Sequence, residues 1–134
     1  PQPRKLPIIS WANEALSTPN ETHLNHQAES WFLSPFEHSP QAFWMKICFD
    51  QMEPNYLEGD LILVDPTITP NNSDDVVVRN ARGITDFGRL CLTPSAKYLE
   101  IFNPKYPDRM HRLEESTVIV GTVTGLVRQR RAMA

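Results

Sequence analysis

Proline occurs along almost the whole chain, and this limits the possible folds more than any other feature. The 134 residues include twelve prolines and five glycines. A proline inside a helix removes a backbone hydrogen bond and costs about 3 kcal/mol or more. The sequence therefore predicts a mainly β domain of short strands and hairpins, and its length fits one domain with a buried core.

Apolar and alternating segments predict the individual strands. The predicted strands cover residues 43–49, 61–64, 76–79, 84–92, 97–102 and 116–127. The stretch 49–65 predicts a strand, a turn and a second strand, with the side chain of Gln51 presented at an exposed edge. Asn80 to Gly83 predicts a hairpin turn, because Asn and Gly tolerate positive φ. Residues 1–40 show little periodic apolar pattern, so we expect a linker or flexible arm there, followed by a globular domain over residues 41–134.

Charge and cysteine usage limit the partners and the compartment. A formal net charge of −3 makes this chain a poor binder of nucleic acid by itself. The one basic cluster is short and consists of Arg128, Arg130 and Arg131. Cys48 and Cys91 lie in apolar runs without a CxxC spacing, which indicates buried thiols in a reducing, cytoplasmic compartment, with a disulfide as the alternative. We expect no cofactor and no metal site, since the histidines lack ligand spacing.

Five blocks of sequence, in order and with similar spacing, resemble the C-terminal domain of LexA-like repressors, including the lambdoid phage repressors. The blocks are DQMEPNYLEGDLILVD, DDVVVRN, DFGRL, YLEIFNPKYP and VIVGTV. The upstream LPIISW resembles the segment that leads into the self-cleavage site of that family. The resemblance implies a β-rich, self-cleaving peptidase and dimerisation domain. It also implies an N-terminal helix-turn-helix, absent from this chain, that binds operator DNA.

The resemblance implies a serine nucleophile and a neutral lysine base, and this sequence departs from the family at both positions. Gln51 stands at the serine position, and a carboxamide is not a usable nucleophile. Gly88 stands at the lysine position and has no side chain to act as a base. The small residue pair that is cleaved aligns with Glu14 and Ala15. We interpret the chain as a degenerate peptidase that is not an enzyme.

Two alternatives remain at this point. The first is an active self-cleaving serine peptidase with atypical catalytic residues. Serines and lysines that such an enzyme could use lie outside the family's catalytic blocks, at Ser34, Ser39, Ser95, Lys46 and Lys97. The second is a mutagenesis-type accessory protein of the same fold that lacks a DNA-binding half.

The preferred hypothesis is the regulatory and oligomerisation domain of a non-cleavable phage or prophage repressor. If this domain cannot cut itself, induction must come from another molecule, and an antirepressor protein is the natural candidate. We expect a homodimer or higher oligomer with its contact on the last strand, because an unpaired apolar edge invites pairing. An internal core strand is the alternative. The interface residues expected are Val118, Val120, Val123, Leu126 and Arg128.

Three aromatic residues lie in the predicted arm, at Trp31, Phe32 and Phe36. They could contact a partner protein, or they could pack the arm onto the core. The sequence leaves both possibilities open.

Overall fold

The computed structural model describes residues 4–130, and these form one sheet of nine strands with two short helical segments. Arg131 and the other residues at the two ends lie outside the described part. A 3₁₀ turn covers Glu14–Ser17, and helix α1 covers Glu21–His26. Neither helical segment is long and apolar enough to cross a membrane. The strands are β1 (Arg4–Ile8), β2 (Ser30–Ser34), β3 (Phe43–Lys46), β4 (Leu61–Asp65), β5 (Asp75–Arg79), β6 (Thr85–Leu92), β7 (Lys97–Glu100), β8 (Met110–Arg112) and β9 (Val118–Val127).

The predicted fold class, mainly β, is confirmed, and the strand order shows how the sheet is assembled. The order is β2-β1-β3-β4-β9-β5-β6-β7-β8. All the pairings are antiparallel except the one between β1 and β3, which is parallel and consists of Ile8 opposite Trp44. The last strand, β9, pairs with β4 on one side and with β5 on the other. The expectation that this strand offers an unpaired edge is therefore wrong, and the alternative of an internal strand is what the structure shows.

Several of the predicted turns and strands are found where the sequence placed them. The hairpin after β5 is closed by the amide of Gly83, which donates to the carbonyl of Asn80 at 2.9 Å. Gly83 has a φ of +82°, which explains the glycine at this position. By contrast, β3 ends at Lys46, and residues 51–55 form a turn. The sequence pattern had suggested that a strand presents Gln51. In the structure, a turn presents it.

Residues 4–40 are folded onto the sheet, whereas the sequence pattern had suggested a linker or flexible arm. The side-chain oxygen of Asn20 accepts a hydrogen bond from the amide of His23 at 2.9 Å and so begins helix α1. Leu16 and Leu24 are fully buried in the main core, where they secure the segment. β1 and β2 form an edge hairpin of the same sheet. The division of the chain at residue 40 stays a prediction.

Both faces of the sheet are apolar, because successive side chains of a strand point to opposite faces. Ile62 and Val64 of β4 belong to the main core, whereas Leu63 between them packs with Leu6 and Trp44 on the other face. Beyond β9, that other face carries a third cluster, formed by Val76, Val78, Leu90 and Leu99. The site described below lies where β6 meets the turn at residue 51.

Candidate functional site

Gln51 is bound to strand β6. Its Nε2 donates to the Asp86 carboxylate at 2.7 Å and to the carbonyl of Phe87 at 3.3 Å. Asp86 also accepts a hydrogen bond from the amide of Phe87 at 2.8 Å. Gln51, predicted to stand at a nucleophile position, therefore has a structural contact to β6, the strand that carries Gly88.

The loop that follows β7 closes over the turn at residues 50–51. The carbonyl of Gln51 accepts hydrogen bonds from the amides of Phe102 and Asn103, both at 3.0 Å. The Asp50 carboxylate forms an ion pair with Lys105 and accepts a hydrogen bond from the Tyr106 hydroxyl at 2.5 Å. The hydrogen bond from Lys105, followed by that from Tyr106, lowers the pKa of Asp50. Hydrogen bonds and an ion pair therefore fix this loop to the turn at residues 50–51.

Behind the turn, Tyr56 donates its hydroxyl hydrogen to the Asp75 carboxylate, which also accepts from Arg89 Nε at 3.0 Å. Burial and the bond to Asp75 raise the pKa of Tyr56 above its ordinary value. The phenol therefore stays protonated and acts as a donor near neutral pH. The Arg89 guanidinium carbon lies 4.6 Å from the centre of the Phe102 ring, which connects this network to the covering loop.

Gly88 is buried, and the space that a side chain would need is occupied. A Cβ atom added at this position would lie 2.7 Å from Leu99 Cγ and 2.8 Å from the carbonyl oxygen of Glu100. Gly88 of β6 lies opposite Val76 of β5, and Val76 packs with Leu99 in the third cluster. Residue 88, predicted to stand at the position of a lysine base, therefore has no side chain and no room for one.

The predicted cleavage pair lies in the 3₁₀ turn of the arm. Ala15 is fully buried in the main core, while Glu14 is exposed. The preceding Trp11 packs its ring 4.8 Å from that of Phe49 and 6.1 Å from that of Phe87, centre to centre. The structure thus brings the arm segment to the same side of the sheet as the turn at residue 51.

Two of the three serines considered as alternative nucleophiles donate hydrogen bonds to groups other than the lysine amine expected as a base, namely a backbone carbonyl and a buried carboxylate. The Ser39 hydroxyl donates to Asp65 at 2.7 Å, and the Ser34 hydroxyl donates to the carbonyl of Phe36 at 3.3 Å. Ser95 lies exposed in the turn between β6 and β7. Among the hydrogen bonds of residues 4–130, none joins a serine hydroxyl to a lysine amine.

The residues expected at a subunit interface are not equivalent in the structure. Val118 is 52% exposed, whereas Val120 is buried and cannot contribute surface. Val123 and Leu126 are half-buried and pack against the main core. Arg128 binds Asp60 of its own chain. The interface stays a prediction, and Val118 is the member of this set that offers free apolar surface.

Two of the three aromatic residues of the arm, Phe32 and Phe36, lie beside Trp44. Phe32 lies 5.4 Å from the Trp44 ring in an edge-on arrangement, and its carbonyl accepts the indole hydrogen at 3.1 Å. Phe36 lies 6.4 Å from the same ring and stacks over Gly125 of β9. Trp31 is 46% exposed and remains available for a partner.

The expectation that Cys48 is buried is wrong, because β3 ends before it and leaves the thiol exposed.

One network had no clear signal in the sequence. Asp65 is almost completely buried and accepts hydrogen bonds from the amide and hydroxyl of Ser39 and from the amide and hydroxyl of Thr67. Burial would raise the pKa of Asp65, but these hydrogen bonds outweigh it and lower the pKa. Pro66 follows Asp65 in the sequence, and nothing in this local pattern points to the contact with Ser39.

Two curated proteins and one family model are similar to this chain in sequence. The chain is 27% identical over 128 residues to the prophage repressor CohE of Escherichia coli (strain K12), an alignment that covers 94% of this chain and 57% of CohE. It is 29% identical over 133 residues to repressor protein C2 of Salmonella phage P22, covering 91% of this chain and 59% of that protein. This chain thus spans less than two thirds of the length of these curated relatives. A model of the Peptidase S24-like family matches residues 7–124, and the chain belongs to that family.

Proposed function

We propose that this chain is the regulatory and oligomerisation domain of a non-cleavable phage or prophage transcriptional repressor. The proposal rests on what is observed at the two positions predicted to carry the family's nucleophile and base. Gln51 is hydrogen-bonded to Asp86, and Gly88 is closed off by Leu99 and by the backbone of Glu100. The two relatives, both described as repressors, support the regulatory role.

Self-cleavage needs a hydroxyl that attacks the scissile carbonyl and a neutral amine that takes its proton. A carboxamide at residue 51 cannot form the acyl intermediate. With no side chain at residue 88, no base stands beside it. Removing one member of such a catalytic set abolishes most of the rate of cleavage. Because both members are missing here, we expect no partial self-cleavage.

DNA binding is assigned to a part of the repressor outside this chain. The net charge of −3 supports this division, because neutralising DNA phosphates requires a basic surface. An N-terminal helix-turn-helix would read the operator, and this domain would raise the affinity by joining two such readers. Such a repressor acts in the cytoplasm of the bacterial host.

Release from the operator then requires another molecule. An antirepressor protein that binds this domain is the candidate, since the domain has no chemistry with which to inactivate itself. Trp31, as the most exposed aromatic residue of the arm, is one place for it to bind. Replacing Trp31 with alanine should weaken that binding without changing dimerisation.

The direct test is incubation of the full-length repressor at alkaline pH, where a lysine base would be neutral. We expect a single intact species by mass spectrometry over a day. Two fragments with a new terminus near Glu14 would overturn the proposal. In that case the variants Ser34→Ala, Ser39→Ala and Ser95→Ala would identify the nucleophile.

The oligomeric role is tested separately by light scattering of this chain at tens of micromolar. We expect a dimer, and we expect Val118→Glu to produce a monomer with unchanged stability. Thr124→Glu is the control, because Thr124 is also exposed on β9 but is not among the predicted interface residues. A monomer in the unmodified chain would remove dimerisation from the proposal and leave the cleavage argument intact.

A further inference from the structure

Arg79 is a buried cation without an acidic partner. It lies at the end of β5 with 8% of its surface exposed. Its Nη1 donates to the carbonyl of Asn13 and to the hydroxyl of Thr85, both at 3.0 Å. None of the ion pairs among residues 4–130 includes Arg79. The two acceptors of Arg79 are uncharged, so an anion would give this mostly buried guanidinium the charged partner that it lacks among these residues.

The unused hydrogen-bond donors of Arg79 are on Nε and Nη2. A guanidinium has five N–H groups, and the two bonds from Nη1 account for two of them. No side-chain nitrogen in the described part of the chain is both buried and without a hydrogen-bond partner. The remaining N–H groups of Arg79 are therefore reachable from solvent.

A cavity of about 580 Å³ lies beside Arg79, between the core and the arm. The arm contributes the polar residues Asn13, Glu14, Ser17, His23 and Gln27 to its wall. The side chains of Ser17, His23 and Gln27 make no hydrogen bond to other described residues. The volume lies within the range of about 300–1,000 Å³ that is typical of small-molecule sites.

We propose that this cavity binds a small oxyanion, a carboxylate or phosphate group, with the Arg79 guanidinium as its main contact. A guanidinium presents parallel N–H groups that match two oxygens of such an anion, and bonds between charged partners are the strong ones. Ser17 and Gln27 can donate further hydrogen bonds from the arm. Glu14 carries the opposing negative charge and limits the affinity.

An anion in this cavity touches the arm and the core together. Arg79 belongs to β5, whereas Ser17 and His23 belong to the segment that covers the main core. A ligand that binds only the folded arrangement stabilises it by mass action. Binding is therefore expected to hold the arm on the sheet. This site does not depend on the proposed repressor role.

The test is a titration of the 134-residue chain with sodium phosphate, followed by NMR at constant ionic strength. We expect saturable shifts of the amides of Ala15 and His23 and of the Arg79 side-chain Nε–H. Shifts that are spread over the surface, or that do not saturate up to about 100 mM, would overturn the proposal. Acetate and a glutamate-containing tripeptide are titrated in parallel. Tighter binding of the peptide than of acetate identifies an acidic protein side chain as the source, and equal or weaker binding identifies a free anion.

Three variants locate the site. Arg79→Gln should weaken phosphate binding about tenfold or more, because it removes the charge-assisted hydrogen bonds. Glu14→Gln should strengthen it about threefold, because a like charge leaves the rim. Arg82→Gln is the matched control, since Arg82 is an exposed arginine of the adjacent turn that does not line the cavity.

Arg79→Gln could fail to fold, because Arg79 is buried. Glu14 is exposed, so Glu14→Gln tests the same site without that risk. Unchanged phosphate affinity in Glu14→Gln, or the same loss in Arg82→Gln as in Arg79→Gln, would contradict the assignment.

Discussion

Arg128 binds both oxygens of the Asp60 carboxylate, from Nε at 2.8 Å and from Nη2 at 2.7 Å. Asp60 is 2% exposed and also accepts a hydrogen bond from the amide of Leu57 at 2.8 Å. Burial would raise the pKa of Asp60, but these bonds outweigh it and lower the pKa. The pair joins the residue after β9 to the residue before β4.

Replacing Arg128 with glutamine should lower the free energy of unfolding. The Asp60 carboxylate would stay buried without its cation, although the partly exposed position of Arg128 limits the cost. Urea denaturation measures the change. Arg130→Gln is the control, because Arg130 is exposed and makes no hydrogen bond to the described residues. Equal stability of the two variants would contradict the assigned role of the pair.

The Asp65 network should make stability depend on pH. The pKa of Asp65 is lower in the folded chain than the value of about 3.9 expected when unfolded. The stabilisation is therefore fully present above about pH 4 and is lost as the pH falls through the folded-state pKa. Asp65→Asn should be less stable at pH 7 and should lose less stability than the unmodified chain between pH 7 and pH 3.

Urea denaturation at both pH values tests this. Asp108→Asn is the control, because Asp108 is exposed and accepts no hydrogen bond from another described residue. If Asp65→Asn loses as much stability on acidification as the unmodified chain, another carboxylate is responsible for the acid sensitivity.

Gly88 should tolerate no side chain. Alanine there is expected to lower the free energy of unfolding by about 1–3 kcal/mol, because its Cβ would meet Leu99 and the Glu100 backbone. Gly125→Ala is the comparison, since the atoms it would meet belong to the ring of Phe36, which is partly exposed and can move. We expect the cost at residue 125 to be smaller. An equal or smaller cost at residue 88 would show that the lysine position is not closed by packing.

The sequence predicted what depends on local pattern. β4 and β5 were found because each is a short apolar run bounded by turn residues, and the Asn80 hairpin follows from residues that accept positive φ. β1 was missed because Pro7 interrupts its pattern, and its pairing with β2 joins residues far apart in sequence. β8 is three residues long and carries little signal.

The site was predicted in part for the same reason. The resemblance singled out Gln51 and Gly88, and their catalytic positions stay a prediction, whereas their surroundings could not be predicted. The packing of Leu99 against Gly88 requires the strand register, and the bond from Arg79 to Asn13 joins residues 66 positions apart. β9 lies inside the sheet because β4 and β5 pair with its two sides. Its apolar sequence alone does not distinguish such an internal strand from an unpaired edge strand.

That central position sets the order in which the sheet can be completed during synthesis. β4 and β5 are consecutive strands in the chain, yet the sheet joins them through β9, which is synthesised after both of them. Until then, the strands from β1 to β4 and those from β5 to β8 have no shared backbone ladder, and the inner edges of both halves are open. A nascent chain therefore has to keep two incomplete half-sheets from pairing wrongly until β9 has been synthesised.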